Sequence, residues 1–126
     1  MPLRNEQDIV MSRQMVRKLT QQLGFSLVDQ TKMITAASEL SRNAVVYGGG
    51  GEMRWNIVTL QLRNGLRLAF EDKGPGIPDI DLALTDGWTS GSGLGVGLSG
   101  SKRLVSEFEL RTAPGEGTCV TITRWK

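Results

Sequence analysis

Histidine is absent from this sequence. Its absence excludes imidazole acid–base catalysis, zinc ligation by imidazole and phosphoryl relay through a phosphohistidine on this chain. Cysteine occurs once, at Cys119, so no internal disulfide can form. The residue lies in an alternating apolar and polar run near the C-terminus, where a small buried hydrophobe is expected. No apolar run approaches the ~20 residues that span a bilayer, and Met1-Pro2-Leu3-Arg4-Asn5 lacks the apolar stretch of a signal peptide. A cytoplasmic location with no membrane partner is the expectation. An excess of one charge is missing too: 15 Lys and Arg stand against 13 Asp and Glu, a net charge of +2. The basic residues are scattered without forming a stripe, so no nucleic-acid partner is expected.

What is present is the composition of an ordinary globular protein, 39% hydrophobic and 22% charged over 126 residues, a length suited to one core. A single domain over residues 1–126 is expected. From about Asp8 to Leu23 the residues Ile9, Val16, Leu19 and Leu23 recur at helical spacing and Gly24 follows, which predicts an amphipathic helix closed by a glycine cap. From about Asp29 to Tyr47 the residues Met33, Ala37, Leu40 and Ala44 repeat the pattern until Gly48–Gly51 break it, predicting a second helix. Met53–Leu62 and Leu66–Asp72 read as strands with Asn64-Gly65 as the hairpin turn between them. Lys73–Gly97 is glycine-rich, with Pro75 and Pro78 and a short apolar stretch at Ile80, Leu82 and Leu84; a loop of that length in a compact domain is usually functional. Leu98–Phe108 carries a third helical pattern, and Glu109–Thr112 and Gly117–Trp125 read as strands joined at Pro114-Gly115-Glu116-Gly117. The sum is an α/β (α+β) two-layer sandwich, a mixed, mostly antiparallel sheet with helices on one face.

Four stretches carry chemistry. In the second helix, Glu39 and Asn43 of Glu39-Leu40-Ser41-Arg42-Asn43-Ala44 are four apart, so they share a face to one side of the apolar stripe. An amide oxygen suits Mg²⁺ alongside phosphate oxygens and water, and a neighbouring carboxylate can take the proton of an attacking hydroxyl. Taken alone, the pair reads better as a solvated helix face. Asp72-Lys73-Gly74-Pro75-Gly76 ends a strand in a turn whose glycines admit a planar ligand, and its carboxylate can accept from an exocyclic amine; such turns are also common without any ligand. Gly91, Gly93, Gly95 and Gly97 alternate before the third helix, where free N–H groups and the helix dipole suit phosphate. This run, with Val96 and Leu98 inside it, is neither a Walker A sequence nor a dinucleotide fingerprint, and a lid over phosphates fits it better than a linker. Gly117-Thr118 opens the last strand.

In this order the four stretches resemble the N box, G1 box, G2 box and final Gly-Thr of the GHKL superfamily, whose Bergerat fold binds ATP in gyrase, sensor histidine kinases and MutL. The resemblance spans residues 30 to 125. Within the superfamily, Ser38-Glu39-Leu40-Ser41-Arg42-Asn43 and Leu94-Gly95-Val96-Gly97-Leu98-Ser99-Gly100-Ser101-Lys102-Arg103-Leu104 look most like the RsbT-type switch kinases of the stressosome, relatives of the anti-sigma kinases. The resemblance implies ATP and Mg²⁺ as cofactors, Glu39 as general base, Asn43 as metal ligand and Asp72 as acceptor of the adenine amine. It also implies that Gly74 and Gly76 shape the base pocket, that the run from Gly91 to Leu98 closes on the phosphates, and that Thr118 supports the adenine side. Lys102 would either reach a phosphate or stand in solvent. The implied reaction moves the ATP γ-phosphate to Ser or Thr of a STAS-domain antagonist or scaffold (RsbS/RsbR-like), after which the kinase binds and activates a PP2C-type phosphatase (RsbU-like). The alternative is an anti-sigma factor that sequesters a sigma factor and phosphorylates its antagonist. A purely binding module has no need of Glu39, a complete sensor histidine kinase needs a histidine, and gyrase-like or MutL-like ATPases need a second domain to supply a lysine. The chain begins close to its first helix, so the N-terminal strand of relatives is expected to be short or missing. Trp88, in the lid loop, and Phe108 are candidate partner contacts, with core packing the expected use of Phe108.

Overall fold

A computed structural model describes residues 1–76 and 94–126. Side-chain caps set where its first helices begin. The Asn5 Oδ1 accepts the Asp8 N–H at 3.0 Å and starts α1 (Glu6–Gln22), with Glu6 and Asp8 in the positive first turn. The Ser26 Oγ accepts the Asp29 N–H at 3.1 Å and starts α2 (Leu27–Val46). Both helices begin two residues before the starts expected at Asp8 and Asp29, because the cap and not the apolar stripe decides the first turn. Gly24, at φ +78°, closes α1 as expected. The N-terminal strand is short but present: β1 (Pro2–Leu3) pairs with Glu52 and Gly51.

The remaining elements are β2 (Gly51–Leu60), β3 (Arg63–Asp72), α3 (Leu94–Arg103), β4 (Glu107–Thr112) and β5 (Thr118–Trp125). Every described strand pair is antiparallel, in the order β1-β2-β3-β5-β4. On one face of the sheet Leu66, Leu68 and Phe70 of β3 join Val120 and Ile122 of β5 in a cluster with Val16 of α1, Met33 and Leu40 of α2 and Leu98 of α3. Burying each of these side chains stabilises the fold by roughly 1.5–3 kcal/mol. The opposite face carries no helix among the described residues and is covered by ion pairs: Arg54 with Glu52 at 2.8 Å and Glu71 at 3.4 Å, and Arg111 with Glu109 at 2.9 Å. Cys119 stands opposite Glu71 and Arg111 on that face and is only partly buried, not the core hydrophobe its alternating run suggested.

Two boundaries differ from the sequence expectation. The β2–β3 turn is Gln61-Leu62, since Leu60 pairs with Arg63, and Gln61 takes φ +56°. Asn64-Gly65 lies inside β3, and Gly65 serves packing: a Cβ there would stand 2.8 Å from the Trp125 ring and 2.9 Å from the Arg124 carbonyl. The third helix runs from Leu94 to Arg103, so Val105–Phe108 leaves it. The reason is long-range: Ser106 N–H bonds the Thr123 carbonyl at 2.8 Å, drawing the chain into β4. Phe108 then packs against the core from a strand, as its core reading required. Trp88 lies outside the described residues.

Arg124 holds this corner together. Its guanidinium donates to the Leu104 carbonyl at 2.9 Å and to Asp29 Oδ1 at 2.6 Å, tying β5 to the end of α3 and the start of α2. That hydrogen bond holds the Asp29 carboxyl below its ordinary range, against the opposing effect of burial. A carboxyl lowered in the folded state contributes stability that is present above its unfolded pKa and is lost as pH falls through the folded one. Asp29→Asn should therefore lower stability at pH 7 by roughly 1.5 kcal/mol. Urea titrations over a pH series should show the gap to the parent closing below roughly pH 4, where the parent's carboxyl also protonates.

Candidate active site

Asp72 is the last residue of a strand paired on both sides, to Gly51 of β2 and Thr118 of β5. Its side chain points to the helix-bearing face, in step with Phe70 and Leu68. Oδ1 accepts the Gly74 N–H at 2.9 Å, and the carboxylate also receives the Thr118 backbone N–H. Burial nevertheless raises its pKa; the two N–H groups act against the shift, and the neighbouring Glu71 adds to it.

Glycines let three other segments reach this carboxylate. A Cβ on Gly48, just past α2, would overlap the Asp72 carboxyl, and one on Gly74 would stand 2.7 Å from the Gly48 Cα. Gly76 and Gly117 adopt φ +76° and +81°, conformations that L side chains rarely hold, and lie against the carbonyls of Ala113 and Asp72. Backbone therefore packs on backbone from the end of α2, the turn after β3 and the start of β5. The Thr118 hydroxyl meets the Thr112 hydroxyl at 3.0 Å, and Thr112 also bonds the Gly117 carbonyl at 2.9 Å, bracing this wall.

The end of α2 supplies the other half. The Asn43 carbonyl receives the N–H groups of Tyr47 and Gly48 at 3.0 and 3.1 Å, which turns the chain toward Asp72. Of the polar residues between Glu39 and Asn43, two serve packing onto α1: the buried Ser41 Oγ lies 2.9 Å from Ser12 Oγ, and Arg42 pairs with Glu6 at 3.1 Å. Glu39 and Asn43 have no such duty. Among the described residues the buried Asn43 Nδ2 has no hydrogen-bond partner, and Glu39 is exposed one turn away with no ion pair to any of them. An orphaned buried amide marks a place where a ligand completes the shell, and rotating the amide offers either its nitrogen or its oxygen there.

The other expected site residues divide. Gly91 and Gly93 lie outside the described residues. Gly95, Val96, Gly97 and Leu98 sit within α3, not in a loop ahead of it. The Leu98 side chain is 1% exposed in the core, so only its backbone is left for a ligand. Lys102 is exposed in the last turn of α3, beside the Leu104–Arg124 contact. Arg124 is six residues along β5 from Thr118, roughly 20 Å, so Lys102 is not brought to the Asp72 end. Conversely, Gly48 read only as a helix breaker, and Thr112 had no motif to reveal it. The signal for Gly48 was the unbroken run Gly48–Gly51, longer than a helix stop requires.

The family model for histidine kinase-, DNA gyrase B-, and HSP90-like ATPases matches residues 28–126, from the first turn of α2 through Asn43, Asp72 and Gly117 to the end. The chain belongs to this ATPase family. Among its relatives is the serine/threonine-protein kinase RsbT of Bacillus subtilis (strain 168), 45% identical over 95% of this chain and 90% of that protein. The anti-sigma F factor of Thermoanaerobacter sp. (strain X514) is 27% identical over 98% of this chain and 89% of its own. The solved structure of the mycobacterial sensor histidine kinase MprB shares the fold, with a TM-score of 0.60 at 20% identity, covering 99% of this chain and 96% of that one.

The glycine packing makes a direct prediction. Gly48→Ala should displace the Asp72 carboxylate and weaken nucleotide binding by roughly tenfold or more, the loss of about one charged hydrogen bond. Calorimetric titration with ATP checks it, and Gly100→Ala, at a helical glycine with open space where its Cβ would stand, serves as the comparison.

Proposed function

We propose that this chain is an ATP-dependent protein serine/threonine kinase of a partner-switching module. Its substrate is a serine or threonine hydroxyl of a STAS-domain antagonist or scaffold protein (RsbS/RsbR-like), and its later partner a PP2C-type phosphatase (RsbU-like), in the cytoplasm. The observation that carries the reading is on α2: Ser41 and Arg42 are engaged with α1, while Glu39 and the buried Asn43 amide have no described partner. The identity to RsbT supports the choice of kinase over other members of the ATPase family.

ATP fits this arrangement at both ends. The Asp72 carboxylate, walled by Gly48, Gly74 and Gly117, accepts the adenine amine, and Gly76 and Thr118 shape the same pocket. Asn43 faces the phosphates. No group of three or more carboxylate or thiol side chains that could hold a metal converges among the described residues, so Asn43 would hold Mg²⁺ together with phosphate oxygens and water. That ion neutralises phosphate charge when bound. Glu39, one helical turn from Asn43 and open to solvent, takes the proton from the incoming hydroxyl. Its exposure suits a protein substrate, which must bring the hydroxyl from outside. Gly91, Gly93, Gly95 and Gly97 cover the phosphates.

A second reading has its own support. Anti-sigma F factors align over nearly the whole chain, though at 27% identity, and they favour an anti-sigma kinase that also holds a sigma factor. Binding to a purified sigma factor separates the two.

Incubation with γ-labelled ATP, Mg²⁺ and a STAS-domain protein should place label on Ser or Thr of that protein. Glu39→Ala should slow the transfer by ~10²–10⁴-fold with ATP affinity kept. Asp72→Asn should instead weaken ATP binding by roughly tenfold to a hundredfold. Because burial raises the Asp72 pKa, its ionised form costs stability above that pKa, and removing the charge should leave the apo protein no less stable at pH 7. Full transfer by Glu39→Ala, or unchanged ATP affinity in Asp72→Asn, contradicts these roles.

A further inference from the structure

A hydroxyl has one proton to donate, so the partners of Thr112 and Thr118 fix the direction of the bond between them. The Thr112 Oγ1 lies 2.9 Å from the Gly117 carbonyl, which can only accept, so Thr112 directs its proton there. Its second contact, with the Thr118 Oγ1 at 3.0 Å, then needs Thr118 as the donor. With its proton committed to Thr112, the Thr118 hydroxyl has only lone pairs for anything else that approaches it.

Both threonines are held where this polarity matters. Thr112 is paired with Thr118, and Thr118 with Asp72, across the neighbouring strands β4, β5 and β3. Residues directly opposite one another carry their side chains on one face of the sheet, here the face on which the Asp72 carboxylate stands. The turn between β4 and β5 is fastened to the turn after β3 by the Gly115 N–H, which donates to the Pro75 carbonyl at 2.7 Å. Gly76 closes the other side of a half-buried Thr112, since a Cβ there would stand 3.2 Å from the Thr112 Oγ1. Asp72 adds acceptors alone. Its carboxylate has about four lone-pair directions, which the Gly74 and Thr118 N–H groups fill only in part.

We propose that Thr112 is a positioning residue for base selectivity: by holding the Thr118 proton it leaves the Thr118 Oγ1 and the Asp72 carboxylate facing the exocyclic group of the base as acceptors only. This role rests on the adenine pocket proposed above. An amine, with two N–H groups, meets both acceptors. A carbonyl oxygen in the same place sets lone pairs against lone pairs and leaves every polar group there unpaired, which a site built on hydrogen bonds rejects strongly. The pocket therefore takes a 6-aminopurine and refuses a 6-oxopurine, and Thr112 contributes to that choice through Thr118 without touching the base.

The test is calorimetric titration of the full chain with Mg-ATP and Mg-ITP, because inosine carries a carbonyl oxygen in place of the adenine amine. The parent should favour ATP by ~10²-fold or more. Thr112→Val keeps the side-chain shape but removes the oxygen that receives the Thr118 proton, so Thr118 can turn that proton toward a carbonyl. The ATP-over-ITP ratio should then fall at least ~tenfold, chiefly through tighter ITP binding, and Thr112→Ser should keep the parent's ratio. A merely structural role would weaken both nucleotides alike. In a Thr118→Val background Thr112→Val should leave the ratio unmoved, since the effect passes through Thr118. Thr112→Ala makes the same deletion where the valine packs poorly. A parent that binds ATP and ITP alike, or binds neither, overturns the adenine pocket and this role with it. A selective parent whose ratio stays the same, or moves further toward ATP, in both Thr112→Val and Thr112→Ala overturns the role of Thr112 alone.

Discussion

The close approach of backbone to backbone around Asp72 is the constraint on which the rest of the structure depends. Three segments distant in sequence converge on one carboxylate, and each arrives at a glycine: Gly48 after α2, Gly74 after β3 and Gly117 before β5. A side chain at any of these positions would occupy the space that another segment's backbone or the carboxyl fills. The same glycines turn α2 so that its last turns face the end of β3, and so decide where Glu39 and Asn43 stand relative to Asp72. Burial there raises the Asp72 pKa, and two backbone N–H groups partly offset the cost of its charge. The site thus holds a carboxylate that the fold alone does not favour, which is the usual sign of a group kept for a ligand.

Polar residues on α2 divide between structure and chemistry. Ser41 and Arg42 bind α1 through Ser12 and Glu6, fixing the rotation of α2 about its axis. With that rotation set, Glu39 and Asn43, each two residues and about 200° from Ser41, face away from α1. Arg124 does the corresponding work at the far end, joining Asp29 of α2 to the Leu104 carbonyl after α3. The helix that follows the glycine-rich run is therefore anchored at its C-terminal end. The sheet needs no second helical layer, because its other face is covered by exposed ion pairs, each worth no more than about 1 kcal/mol, whose long side chains shield the strands.

Much of this was legible in the chain itself. The apolar stripes of α1 and α2, the strand alternation of β3 and β5, and the order of the four motifs are local patterns set by helix and strand periodicity, and they sufficed for the fold class, for Glu39 and Asn43 on one helix face and for Asp72 at a strand end. Asn5 and Ser26 were visible too, but as caps they carry less weight in a periodicity reading than the stripes they precede. What tertiary structure alone decided was everything set by a neighbour far away in sequence. Gly65 looked like a turn residue because Asn-Gly is a strong local signal, yet Trp125, sixty residues on, claims its missing side chain, and the turn moved to Gln61-Leu62. Val105–Phe108 kept a helical spacing, but pairing with β5 outweighed it. Lys102 lay close in sequence to the glycine-rich run and was placed at the opposite end of the molecule by the length of α3. Gly48 gained its role only when Asp72 arrived beside it. Local propensities are worth tenths of a kcal/mol per residue and a buried contact several times more, so where the two disagreed the distant partner won.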